Sequence, residues 1–252
     1  MVQAEFNQIL SDPLESTRQL CSEGHRVIGC LDNYVPEEFI HAMGMVPVRL
    51  LGSAANITLS DAHLPLFAGR LTRSIFDQGL KGKLGHLTGV ALSNSSDAIR
   101  TLYDLWGRHI PGQWVALVDV PAVLEGETNR RVFKAAMLGF LQQLEKLAGH
   151  SLDPAALRRS IAVFNENRRL LKTAASLLGT SPQRLNAETY LDAVLSGFLT
   201  TKERHNRLLQ QLVEESGAGH TDAGQDLLPV HVSGPILVDR SFLPLLRQCG
   251  AT

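Results

Sequence analysis

Short apolar runs alternate with helical segments over the first half of the chain, and this alternation limits the fold more than any other feature. Apolar runs bounded by polar residues or glycine are typical of buried strands, and they lie at residues 26–31, 45–51, 88–93 and 113–120. Cap residues, first-turn proline and terminal glycine indicate helices, which lie at residues 36–43, 71–79 and 97–106. Strands that alternate with helices at this spacing form a parallel sheet covered on both faces. The sequence therefore predicts an α/β fold with a parallel sheet of about four strands.

Helical patterns lie on both sides of this alternating region. Residues 3–21 predict a helix that Pro13 breaks or kinks, because proline lacks the N–H that a helix interior uses. After it, Asp153 as a cap and Pro154 in the first turn predict a helix start in a region with almost no strand pattern. A glycine-rich linker leads to a final β–α unit that either joins the first sheet or begins a second domain. The predicted organisation is an α/β domain over residues 1–128, a helical segment over 129–216, a linker over 217–227, and the first β–α unit of a truncated second α/β domain over 228–252.

Composition excludes several classes of function. The chain has 24 Lys and Arg against 25 Asp and Glu, so we expect no nucleic-acid binding. Its apolar runs are shorter than the roughly 18 residues of a membrane span. Residues 1–8 have no basic segment followed by an apolar one, so we expect no secretory signal and a cytoplasmic location. The cysteines, Cys21, Cys30 and Cys249, are widely spaced and favour ordinary thiols over disulfides or a zinc site.

Two polar pairs each allow a chemical and a structural interpretation. Asp61 and His63 could share a metal ion on an extended segment, but no third ligand lies nearby in sequence, so a polar loop is favoured. Glu37 and Glu38 could form a general acid/base pair. Acidic residues at a helix start also complement the helix dipole, and this second interpretation is favoured.

Two longer motifs carry a resemblance to a known family. Residues 29–38 read GCLDNYVPEE, and residues 94–106 read NSSDAIRTLYDLW. They resemble G-Y-F-C-S-Y-V-P-E-E and N-T-C-D-x-x-R-x-x-Y-D-x-W of the 2-hydroxyacyl-CoA dehydratase and benzoyl-CoA reductase subunits, D-component type. Arg73-Ser74, residues 165–168 and residues 228–250 extend the resemblance in the same order. It implies a Rossmann-like sheet with flanking helices, an α-helical middle segment and a final β–α unit.

The resemblance also identifies where this chain departs from the family. Family subunits hold a [4Fe–4S] cluster with three cysteines, and the matching positions here are Asp32, Gly69 and Ser96. Iron–sulfur clusters need thiolate ligands, which carboxylate and hydroxyl oxygens do not replace. We therefore expect no cluster on this chain, and a [4Fe–4S] cluster on a partner subunit.

The resemblance implies a dehydratase (lyase) or reductase component that acts on a CoA thioester within a complex. The expected partner is a cluster-bearing homologous subunit or a second copy of the chain. The alternative is a non-catalytic, truncated paralogue that binds a partner or a small ligand. No catalytic residue is assigned. The candidate pocket for acyl-CoA lies at the carboxyl ends of the strands, and its residues are Asp32, Tyr34, Arg73, Ser74, Ser96 and Asp97.

Overall fold

The computed structural model describes residues 2–123, 125–180, 185–218, 228, 230–232 and 238–250. The strands within them are β1 (Val27–Cys30), β2 (Val46–Arg49), β3 (Gly89–Ser93) and β4 (Trp114–Val118). The helices are α1 (Val2–Ser11), α2 (Pro13–Ser22), α3 (Glu37–Ala42), α4 (Arg70–Leu80), α5 (Asp97–His109), α6 (Glu127–Ala148), α7 (Pro154–Thr180), α8 (Ala187–Ser196), α9 (Lys202–Ala218) and α10 (Phe242–Gln248). Short 3₁₀ turns, Ser60–Ala62 and Leu66–Ala68, precede α4. The predicted elements of the alternating region are confirmed, and so is the helix break at Pro13.

The strands form one parallel sheet in the order β2-β1-β3-β4. Helices cover both of its faces, so the predicted Rossmann-like α/β fold is confirmed. The chain as a whole divides into two compact units, one over Leu14–Ile161 and the other over Met1–Pro13 with Ala162–Thr252. The sheet lies in the first of these units.

Each face of the sheet has its own apolar core. Val90 and Leu92 of β3 pack with Phe76 of α4 and Trp106 of α5 on one face. Ala91, which points to the other face, packs in the second core, whose helical members include Ile40 of α3 and Phe140 and Leu144 of α6. Burial of one large apolar side chain stabilises a fold by about 1.5–3 kcal/mol. Because α6 contributes to this second core, the unit that contains the sheet continues past residue 128, where sequence patterns predict a boundary.

Gly89 shows how closely two strands approach. It is the first residue of β3 and pairs in register with Trp114 of β4. A Cβ atom on Gly89 would lie 2.2 Å from the carbonyl oxygen of Trp114. Only glycine therefore fits here without movement of the backbone.

A buried polar network joins helices of the second unit. His205 Nε2 donates to the carbonyl oxygen of Ala193 at 2.8 Å, so Nδ1 accepts from Asn167 Nδ2 at 2.8 Å. The same Asn167 amide donates to Asn206 Oδ1 at 2.7 Å. Burial, with the Lys202 charge beside it, lowers the pKa of His205 to about 4. The ring is therefore neutral near pH 7, as its one-donor, one-acceptor bonding requires.

Within the second unit, an ion pair holds the C-terminal segment to α8. Arg240 donates from Nε and Nη2 to the two carboxylate oxygens of Asp192, at 2.6 and 2.7 Å. The predicted C-terminal helix is confirmed as α10. Leu228 and residues 230–232 pair with no strand of the sheet. The rest of that predicted strand, and residues 219–227 of the predicted linker, lie outside the described residues.

Candidate functional site

The strand order creates a topological switch point between β1 and β3. From β1 the chain continues to β2, at the edge of the sheet. It then crosses over to form β3 on the other side of β1. The connections that leave β1 and β3 therefore diverge to opposite faces, and their carboxyl ends border a crevice, the usual ligand position in open α/β sheets. Asp32 lies two residues beyond β1 and Ser96 three residues beyond β3. The structure thus brings Asp32 of the first sequence motif and Ser96 of the second to the same edge of the sheet.

The loop from β1 to α3 has an unusual backbone. Asp32 has a φ of 83°, the one positive value at a non-glycine position in the part of the chain that the structure describes. This left-handed conformation is unfavourable for a residue with a Cβ atom, although Asp tolerates it better than most. Asp32 Oδ1 accepts the backbone N–H of Asn33 at 2.5 Å. Tyr34, which follows Asn33, is 52% exposed, whereas Val35 is buried.

One arginine contacts both this loop and the start of α3. Arg49, the last residue of β2, donates from Nη1 to Asn33 Oδ1 at 2.6 Å and from Nη2 to Glu37 Oε1 at 3.2 Å. Glu37 begins α3, and the structure therefore gives it an ion pair in addition to the predicted role at the helix start.

The loop from β3 to α5 is fixed by polar side chains. The Ser96 hydroxyl oxygen accepts the N–H of Ile99 at 3.3 Å and so caps α5. Asn94 Nδ2 donates to the carboxylate of Asp119, just beyond β4. Asn94 Oδ1 accepts the N–H of Val120 at 2.8 Å. These bonds join the carboxyl ends of β3 and β4, and Asp97 is left exposed in the first turn of α5.

Arg73 and Ser74, two predicted pocket residues, contact the loop from β2 to α4. Ser74 Oγ accepts the N–H of Ser53 at 2.8 Å and donates to its carbonyl oxygen at 3.2 Å. Arg73 donates to Asp61 Oδ1 from Nε at 2.9 Å and from Nη2 at 2.5 Å. The ring of His63 packs 4.3 Å from that of His109. Asp61 and His63 thus have separate partners, which fits the favoured polar-loop interpretation.

Asp77 holds the same loop from the middle of α4. Its Oδ1 accepts the backbone N–H groups of Thr58, Leu59 and Ser60 at 3.0, 2.7 and 3.2 Å. Burial raises the pKa of this carboxyl, but hydrogen bonds from Lys81 and the three N–H groups outweigh it and hold the pKa far below its usual range. Sequence reasoning missed this role, although the i,i+4 spacing of Asp77 and Lys81 was a visible sign of an ion pair.

The side chains at the family's cluster positions do not fit a [4Fe–4S] group. Asp32 offers a carboxylate that binds the Asn33 N–H, Gly69 has no side chain, and the Ser96 hydroxyl caps a helix. The nearby thiol of Cys30 is buried and donates to the Ile28 carbonyl oxygen at 3.8 Å. The described residues contain no group of three or more His, Cys, Asp or Glu side chains that could hold a metal ion.

A shallow groove of about 450 Å³ lies elsewhere on the sheet unit, and its lining residues are Gln142, Glu145, Lys146, Gly149, His150 and Ser151. Arg26, directly before β1, donates to the Leu147 carbonyl oxygen at 2.7 Å. The groove is therefore near the amino edge of the sheet, opposite the switch point. We favour the switch point as the functional site, because ligands of open α/β sheets bind at the carboxyl edge.

Within the described ranges, no helix has the length and apolar character needed to span a membrane.

Comparison with known proteins assigns the chain to a family. The family model for the 2-hydroxyglutaryl-CoA dehydratase D-component matches residues 32–252. A benzoyl-CoA reductase subunit of Thauera aromatica is 31% identical over 188 residues, which are 73% of this chain and 48% of the relative. The (R)-phenyllactyl-CoA dehydratase beta subunit of Clostridium sporogenes is 23% identical over 84% of this chain and 57% of its own. The beta subunit of lactoyl-CoA dehydratase of Anaerotignum propionicum is 24% identical over 97% and 65%.

The chain thus spans about half to two thirds of the length of these relatives. The family match begins at Asp32, two residues beyond β1, and covers the rest of the sheet, the helices from α3 onward and the C-terminal segment. It confirms the resemblance that the two sequence motifs carry. The protein belongs to the 2-hydroxyglutaryl-CoA dehydratase D-component family.

Proposed function

We propose that this chain is a component of a complex that acts on a CoA thioester, as a 2-hydroxyacyl-CoA dehydratase or a benzoyl-CoA reductase. Its relatives are named as subunits of such enzymes. In this proposal the chain contributes to the acyl-CoA site, and a homologous partner subunit holds the [4Fe–4S] cluster. The observation that carries the proposal is that a family member has oxygen-bearing side chains and a glycine, with no thiolate, at the cluster positions.

The switch point suggests what the chain's own residues do in such a complex. Tyr34 offers an aromatic ring with half of its surface exposed, and such rings cover apolar or planar ligand groups. Asp32 and Asp97 add carboxylates at the same edge, which can accept hydrogen bonds from a ligand or a partner. These groups bind and orient a ligand. We propose no redox step on this chain, since its residues do not fit the group that would carry electrons.

The test is anaerobic purification of the tagged chain from its native host. Co-purifying chains are identified by mass, and iron and acid-labile sulfide are measured for each separated chain. We expect a homologous partner that contains iron and sulfide, together with conversion of acyl-CoA by the pair, but by neither chain alone, when a low-potential chemical reductant is added. A partner that is a second copy of the chain would appear as a single species of doubled mass without iron.

Three results would contradict the proposal in different ways. Stoichiometric iron and sulfide on this chain would show that the cluster is bound by this chain and that its assignment to a partner is wrong. A partner with a cluster but no activity on any acyl-CoA would remove the proposed substrate class. Absence of both a partner and acyl-CoA binding would favour the alternative interpretation, a non-catalytic paralogue.

A further inference from the structure

We propose that Arg49 is a positioning residue of the switch-point site. Its guanidinium joins the middle of the loop from β1 to α3, at Asn33, to the first residue of α3, Glu37. This loop carries Asp32 and Tyr34. The proposal rests on the proposed function, because it assigns to Arg49 the arrangement of groups that would contact an acyl-CoA. It does not make Arg49 itself a ligand of the substrate.

The hydrogen bonds of Arg49 close the loop. Asn33, in the middle of the loop, and Glu37, the first residue of α3, bind different nitrogen atoms of the same planar group. The ion-paired side chains of Arg49 and Glu37 are each only 15% exposed, so water competes little for this ion pair, whereas the bond to Asn33 is exposed. Arg49 itself is fixed by the sheet, where it pairs in register with Cys30 of β1. The loop is therefore tied to the neighbouring strand rather than only to its own ends.

This tie explains the conformation of Asp32. A non-glycine residue with a φ of 83° persists only where the surroundings hold it. The backbone before it is fixed, because the Leu31 N–H bonds to the Ala91 carbonyl oxygen at 2.9 Å. The residue after it, Asn33, is fixed by Arg49. Asp32 lies between two anchored residues and must turn the chain within one step.

The same tie limits how far Tyr34 can move. Val35 enters the apolar core of the α3 and α6 face, and Asn33 is held by Arg49. Between them, Tyr34 remains exposed, on the loop that follows β1. Without the arginine, the loop would keep its Val35 anchor but lose its attachment to β2. We therefore expect Tyr34 and Asp32 to sample several positions, which costs ordering entropy when a ligand binds.

The geometry requires an arginine rather than any cation. Guanidinium presents several N–H donors in a fixed plane, whereas a lysine ammonium is a single point charge on a flexible stem. Lysine at position 49 could reach one of the two partners but would not hold both in one plane. Arg49→Lys is therefore expected to give an intermediate effect, which a role for positive charge alone would not produce.

The experiment compares Arg49→Ala and Arg49→Lys with a matched control, Arg26→Ala. Arg26 belongs to the same sheet unit and bonds to one carbonyl oxygen at the opposite edge. Binding of benzoyl-CoA and of free coenzyme A is measured by calorimetry with the chain in the state in which it is purified, including any partner. Hydrogen exchange is followed at the amides of residues 31–35, and thermal midpoints are recorded for all variants.

We expect Arg49→Ala to weaken benzoyl-CoA binding by about tenfold or more, Arg49→Lys to lie between, and Arg26→Ala to bind as the wild type. Exchange at residues 31–35 should accelerate only in the Arg49 variants. Wild-type binding and exchange in Arg49→Ala would overturn the proposal, and so would equal losses in Arg49→Ala and Arg26→Ala. If the wild type binds no acyl-CoA, the proposed function fails, and exchange at residues 31–35 alone decides whether Arg49 positions the loop.

Discussion

Replacement of Asp77 gives a sharp test of how the loop from β2 to α4 is held. The carboxylate accepts three consecutive backbone N–H groups on one oxygen, and Lys81 Nζ approaches the other oxygen at 2.5 Å. Asp77→Ala removes every one of these acceptors. Asp77→Asn keeps a carbonyl oxygen for the N–H groups but loses the charge and the ion pair. The two variants therefore separate the hydrogen-bonding role from the charge.

The expected losses follow from burial. Ser60 is fully buried, so its N–H would find no water, and an orphaned buried donor costs about 1–3 kcal/mol. Thr58 and Leu59 are exposed and regain water, with a net loss of about 0.5–1.5 kcal/mol each. Asp77→Ala should thus lower the free energy of unfolding by about 4 kcal/mol. Asp77→Asn should lower it by about 1–2 kcal/mol, because Lys81 is partly exposed and its pair is weakened by solvent.

Urea unfolding of the wild type and both variants measures these losses, and acid pH adds a check on the charge. The pKa of Asp77 is lowered in the folded state, so its carboxylate adds stability that is complete above the unfolded value near 3.9. That stability is lost as the pH falls below about 4. The difference between wild type and Asp77→Asn should therefore shrink as the medium becomes more acidic. Variants within about 0.5 kcal/mol of the wild type at pH 7 would refute the reasoning.

Other perturbations test other parts of the fold. Gly89→Ala should destabilise by roughly 2 kcal/mol or more in urea, because the new methyl group meets the Trp114 carbonyl oxygen; a neutral result would mean that β3 and β4 separate readily. Arg240→Ala leaves Asp192 buried with one charge unpaired, and should cost about 2–3 kcal/mol with faster hydrogen exchange in residues 238–250, whereas unchanged exchange there would contradict the anchoring role. Because folding lowers the pKa of His205 from its ordinary value of 6.5 to about 4, stability should fall by roughly 3 kcal/mol from pH 7 to pH 4. His205→Gln should remove most of that slope, and an equal slope in the variant would show that other groups cause it.

The fold could be predicted from sequence because its signals are local. Apolar runs and caps identified every strand of the sheet and the helices between them, with β4 found at Trp114–Val118 inside the predicted 113–120. The position of α6 was not predictable in the same way. An amphipathic pattern shows that a helix buries one face, but Phe140 and Leu144 do not reveal which surface receives them.

The candidate site was predicted in part, and the reason is again how far apart in the sequence the interacting residues lie. Asp32 and Ser96 follow neighbouring parallel strands, so strand order alone brings them to one edge. The partners of Arg73 and Ser74 lie 12 and 21 residues away in a loop without regular pattern. The role of Arg49 could not be predicted for the same reason, because its bond to Asn33 spans 16 residues and depends on the register of β1 and β2. Such contacts follow from the folded backbone and leave no periodic sign in the sequence.

The oxygen atoms at the family's cysteine positions have structural roles that thiols perform poorly. Asp32 and Ser96 each accept a backbone N–H, and sulfur is a weak hydrogen-bond acceptor. A metal cluster bound by three loops would also hold those loops together. Here the loops at the carboxyl edge are held instead by Arg49, Asn94 and Ser74, each of which bonds to a different connection. The connections at this edge are thus held by side chains of the chain itself.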